Sequence, residues 1–172
     1  MPVYALGDIV PHIDPTAFVH PDAVVIGNVT IGAESTIWPS AVLRGDGAGI
    51  TIGARTSIQD GAIVHNTEVL PTVIGDDCTV GHMAHLEGCT VHNGVLIGTA
   101  SIVLHEAVVE TGALVGANAV VTNRSRVPAG AMALGVPAKI REGGSSLEQN
   151  LHDAAHYVQR GKRYRRELRR LD

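Results

Sequence analysis

Residues 91–127 read VHNGVLIGTASIVLHEAVVETGALVGANAVVTNRSRV. An aliphatic residue returns every six positions: Val91, Ile97, Val103, Val109, Val115, Val121 and Val127. A period of six fits neither an α-helix, at about 3.6 residues, nor a plain alternating strand, at about 2. It fits short strands separated by turns, each pointing one aliphatic side chain inward. Small residues recur beside the anchors, Gly98 and Gly116 directly after them and Ser101 and Ala119 four positions on, where the backbone bends or the core narrows. Three such hexads make one triangular coil, and coils stack at the inter-strand spacing of about 4.8 Å.

The same step runs upstream through Ile13, Val19, Val25, Ile31, Ile37 and Leu43, then Ile52, Ile58 and Val64, then Ile74, Val80 and Leu86, and it ends near Ala133. Three irregularities break it. Three residues are inserted between Leu43 and Ile52, within 44–49. Four are inserted between Val64 and Ile74, within 65–72, and one is deleted between Leu86 and Val91. Insertions in a regular scaffold are expected to be loops, and loops are where function concentrates.

The 172 residues suffice for one domain with a short appendage. Hydrophobic residues at 45%, charged residues at 17% and 20 glycines exclude disorder; aromatics at 3% leave a core of small and β-branched side chains. The predicted architecture is mainly β, a parallel β-helix over 1–142 with a C-terminal α-helix over 143–172. In the latter, Ser145 or Ser146 is the expected N-cap, with Glu148 in the first turn. Leu147, Leu151, Ala154 or Ala155, and Val158 form the stripe expected to pack on the β-helix or a neighbouring subunit, with 160–172 expected to fray. Residues 1–144 carry 13 acids against six bases, whereas 160–170 hold seven of the chain's 13 Lys and Arg. So acidic a body would repel a polyanion, and no nucleic-acid partner is expected. No apolar run is long enough to span a bilayer, no signal-peptide pattern opens the chain, and Cys78 and Cys89 form no C-x-x-C pair. A reducing cytoplasm is the expected location.

Nine histidines are many for this length. With the insertion removed, Val64 and Leu86 lie one coil apart, so position 87, a Glu, should sit above His65, both pointing outward. His85 and Glu87 flank inward-facing Leu86 and share that outward face. His82, near the preceding turn, should face away from the 65/87 pair. If the edge of one prism meets the face of the next in a trimer, His82 of one chain can join His65 and a group near position 86 of another around zinc, whose bonds to imidazole are about 2.0–2.1 Å. His12, His20, His92, His105, His152 and His156 show no such convergence.

The stretches STIWPSAVLRGD at 35–46, SIQDG at 57–61 with Val64-His65, and Val80-Gly-His82 together resemble the γ-class carbonic anhydrases, in register from about residue 8 to 141. General crossover rules favour right-handed connections; the resemblance implies the left-handed exception. It further implies a homotrimer with three metal sites at subunit interfaces, carrying Zn2+, or Fe2+ or Co2+, and hydrating CO2 reversibly to bicarbonate. His65 and His82 match metal ligands, and Gln59 matches a residue that orients solvent or substrate. Arg44 and Asp46 match residues at the interface, and Asp60 one beside that network. The third family ligand is a histidine where this chain has Glu87, in His85-Leu-Glu-Gly-Cys89. Either Glu87 supplies oxygen or His85 reaches in; His85 is the expected ligand, with Glu87 orienting it or a water. Gly47 stands where the family carries an acid, so rapid proton export is expected to be lost. Two other functions fit the hexads: acyl transfer from acyl-CoA with a histidine base between subunits, and a non-catalytic trimeric scaffold.

Overall fold

The computed structural model describes residues 2–172 and is a left-handed parallel β-helix flanked by one C-terminal helix. Strands of two or three residues fall at the hexad anchors and stack in parallel register on three faces. On one face Ser57, Thr79, Leu96, Leu114 and Met132 stand in a column. On the second stand Val42, Ile63, His85, Ile102 and Val120. On the third stand Thr51, Val73, Thr90, Val108 and Arg126. The next residue of each strand points inward, so Ile58, Val64, Ile74, Val80, Leu86 and Val91 are buried. Each such side chain contributes about 1.5–3 kcal/mol by leaving water.

Corners are turned by residues in the left-handed backbone region. Ser40, Gly61, Met83, Ala100 and Asn118, all with φ between 55° and 68°, form one corner column. There Met83 N–H donates to the Asp60 carbonyl at 2.9 Å, and Ala100 N–H to that of His82 at 2.8 Å. Each corner thus hydrogen-bonds to the coil beneath, which satisfies its backbone.

Stacking begins earlier than the sequence anchors suggest, since Val3–Tyr4 pairs with Val25 and Ile26. The 44–49 insertion is not the expected loop. It lies inside the long strand Val42–Ile52, which pairs with Val24–Ile31 through a register shift between Gly27 and Val29. Close approach makes this possible: a Cβ at Gly45 would lie 2.4 Å from the Asn28 carbonyl oxygen. At the C-terminal end, Lys139–Arg141 turns back antiparallel on Met132–Leu134 and covers the last open edge of that face.

Helix α1, Leu147–Glu167, is capped by Ser146, whose Oγ accepts from Gln149 N–H at 3.2 Å. It packs on its own β-helix, against Phe18–Val19, Thr36–Ile37, Ser57–Ile58 and Thr79–Val80. The buried stripe is Asn150, Ala154, Val158 and Gly161, rotated from the expected one; Leu147 and Leu151 stay exposed to a large degree. Asn150 Nδ2 donates to the Gly94 carbonyl at 2.9 Å, and a Cβ at Gly161 would lie 2.5 Å from Thr36 Cγ2. The helix continues beyond Arg160 instead of fraying, because its last turns are tied down. Lys162 pairs with Glu34 at 2.5 Å, and Arg165 donates to the Pro15 carbonyl at 2.9 Å. Tyr164 packs against Trp38 and Phe18, with ring centroids 5.0 and 5.8 Å away. Among the described residues no helix is long and apolar enough to cross a membrane.

Candidate metal centre and the adjoining groove

The register puts Glu87 directly beside His65, as the coil arithmetic requires. Glu87 Oε1 lies 2.8 Å from His65 Nδ1, and Asp46 Oδ1 lies 2.8 Å from His65 Nε2. Asp46 Oδ2 in turn accepts from the Arg44 guanidinium. The result is one chain of contacts, Arg44–Asp46–His65–Glu87. Both imidazole nitrogens of His65 thus face carboxylate oxygens. Burial raises the pKa of the Asp46 carboxyl, but the hydrogen bonds from His65 and Arg44 outweigh it and leave the group below its ordinary value. Glu87 behaves alike: burial is opposed and outweighed by the His65 hydrogen bond and by the charges of His65 and His105. Both groups are therefore acceptors at neutral pH.

The other oxygen of Glu87, Oε2, faces His85 Nε2 at 3.4 Å and His105 Nε2 at 3.5 Å. These separations exceed hydrogen-bond length, and His105 Nε2 is buried with no hydrogen-bond partner among the described residues. His105 escaped sequence reasoning. The signal that could have found it is the one-residue deletion after Leu86, which shortens that coil so that Leu86 pairs with Val103 and His105 falls over Gly88. Glycine leaves room there, since a Cβ would stand 3.2 Å from the His105 ring.

His82 lies elsewhere, at the preceding corner. Its Nδ1 is 2.9 Å from Asp60 Oδ2, its side chain is half-exposed, and its Nε2 faces no acid among the described residues. Gln59, on the adjoining face, is buried. The expected site residues therefore fall into two places: Arg44, Asp46, His65, His85 and Glu87 in one, Gln59, Asp60 and His82 in the other. Among the described residues no three His, Cys, Asp or Glu side chains are grouped so as to hold a metal ion. The donor types, imidazole nitrogen and carboxylate oxygen, fit Zn2+, Fe2+ or Co2+. Large apolar side chains stand exposed around both places, Ile63 at 45%, Val69 at 79% and Met83 at 64%, as expected of a surface that a subunit covers. Cys89, next but one to Glu87, is buried among the core side chains, and burial pushes its thiol up to about 12.

Beside His82 runs a groove of about 410 Å³, between the outer surface of the β-helix and α1. Gln59, Thr79 and His82 line one wall; Asp153, Tyr157 and Arg160 line the other.

Comparison with known proteins adds three relations. Residues 11–45 match the family described as bacterial transferase hexapeptide (six repeats). The chain is 49% identical over 100 residues to the mitochondrial gamma carbonic anhydrase 3 of Arabidopsis thaliana, a match covering 55% of this chain and 39% of that protein. The chain thus spans well under half the length of that relative. In structure it is similar to a hexapeptide transferase family protein from Anaplasma phagocytophilum, with a TM-score of 0.91 and 34% identity, covering 95% of this chain and 98% of that one.

Proposed function

Since the chain belongs to the hexapeptide-repeat family and is γ-class carbonic anhydrase-like in sequence, we propose that it hydrates CO2 reversibly to bicarbonate at metal sites shared between subunits of a homotrimer. The observation that carries this is the His65 imidazole held between Glu87 and Asp46, with His82 presenting a free Nε2 at an exposed corner. His65 and His85 of one subunit and His82 of the partner subunit would hold Zn2+, or Fe2+ or Co2+. The chemistry such an ion supplies when bound is Lewis acidity, which makes water a nucleophile near neutral pH.

The chain's own residues do the rest. Glu87 takes the Nδ1 proton of His65 as a hydrogen bond, fixing the tautomer and turning Nε2 outward. Asp60 stands beside Nδ1 of His82 at 2.9 Å and leaves Nε2 as its outward nitrogen. Asp46 yields His65 Nε2 and keeps its bond to Arg44. Gln59 offers an amide to orient water or bicarbonate. Ile63, Val69 and Met83 exclude bulk water once a neighbouring subunit covers them. No acid stands at Gly47 to export the proton, so turnover is expected to depend on buffer concentration. Both cysteines are free thiols, in agreement with the reducing cytoplasm we propose as the location.

The test is metal content and CO2 hydration of protein purified anaerobically without chelator, beside His82→Ala. About three metal ions per trimer and measurable hydration are expected of the wild type. The variant should lose both, and full metal occupancy in it would overturn the site. A second reading, acyl transfer from acyl-CoA with a histidine base, is favoured by the transferase description of the structural relative. Tight binding of acetyl-CoA without hydration would select it.

A further inference from the structure

The groove beside α1 has features that CO2 hydration does not use. A water molecule occupies about 30 Å³ of liquid, and CO2 has only three atoms. A groove of about 410 Å³ is in the range of sites for much larger organic molecules. Its two charged residues are both without an ionic partner. Arg160 lies over the Tyr157 ring, 5.6 Å from the centroid, and pairs with no acid among the described residues. Asp153 accepts one hydrogen bond, from Gln149 Nε2 at 2.9 Å, and pairs with no base among the described residues. They are seven residues apart on α1, which places them on nearly the same helix face and about 10.5 Å apart along the axis. The Tyr157 ring, Leu96 and Gly98 also line the groove. Thr79 Oγ1, also in the lining, is buried and lacks a hydrogen-bond partner. Buried hydroxyls ordinarily have one.

We propose that this groove binds an extended zwitterion, its carboxylate on Arg160, its ammonium on Asp153, and its aliphatic middle over Tyr157 and Leu96. Opposite charges at two ends select against molecules carrying only one of them, and the methylene chain displaces water from the apolar stretch. Thr79 then gains a partner from a polar atom of the ligand or from a water that the ligand orders.

The probe is 6-aminohexanoate, which carries an ammonium and a carboxylate at the two ends of an unbranched methylene chain. Hexanoate and hexylamine each lack one end. Calorimetric titration of the full chain, metal-loaded and metal-stripped, should show 6-aminohexanoate binding in both states, with each one-ended analogue about tenfold weaker or more. Asp153→Asn should remove the preference over hexanoate, and Arg160→Gln the preference over hexylamine, with circular dichroism, metal content and CO2 hydration unchanged. Absence of binding, equal binding of the three compounds, or insensitivity to both substitutions overturns the proposal. So does a change of oligomeric state in either variant without any change in binding. Because binding is read without metal and with residues outside the hydration site, failure of either reading leaves the other standing.

Discussion

Glu87 occupies the position at which the resemblance implies a third histidine, and its surroundings give it a different task. One oxygen holds His65 at 2.8 Å, and the other faces His85 and His105 at 3.4 and 3.5 Å. Glu87→Ala should therefore weaken metal binding by about 10–100-fold, as removal of an orienting carboxylate does. Competition titration against a chelator reads this directly. Unchanged affinity would leave Glu87 without a role at the centre, and complete loss of metal would make it a ligand. The pairing of Glu87 with His65 was legible in sequence, because coil length is countable. The position of His105 over Glu87 was not. It depends on how a ring leans across a glycine, and side-chain direction is set by the space its neighbours leave.

Helix α1 was legible as an element and misread as a surface. The cap and the helical spacing located it, and hydropathy chose Leu147, Leu151, Ala154 or Ala155, and Val158. The buried face also takes Asn150 and Gly161, one polar and one lacking a side chain, so neither adds to an apolar stripe. Asn150→Ala should destabilise the protein by about 1–3 kcal/mol, since it leaves the buried Gly94 carbonyl without its side-chain donor. Urea denaturation checks this, with a lower midpoint and an unchanged slope. A variant as stable as the wild type would show that water replaces the amide. The 44–49 insertion holds a parallel lesson. Extra residues predict a loop, but Gly45 and Gly47 let neighbouring backbone, and Gly49 the Asn28 side chain, approach where a Cβ would collide, and the segment stays strand.

For the whole molecule, the proposed trimer makes a demand on the corner at Met83. This side chain is 64% exposed beside His82, at a φ of 57°. Aspartate tolerates that backbone region better than methionine, so Met83→Asp should fold normally while placing a charge where the subunits are proposed to meet. Light scattering coupled to size exclusion should find monomers without metal and with wild-type β circular dichroism. A metal-loaded trimer in this variant would place the interface elsewhere.

Sequence alone determined the parallel β-helix, the coil boundaries and the stacking of position 87 on 65. In a solenoid each coil repeats one local solution, so spacing along the chain translates directly into height along the axis. Only the tertiary structure decided which oxygen of Glu87 meets which imidazole, which face of α1 is buried, and that Arg160 and Asp153 stand unpaired along one wall of a groove. Those outcomes depend on how side chains from distant segments share the same space, and no period along one chain encodes that.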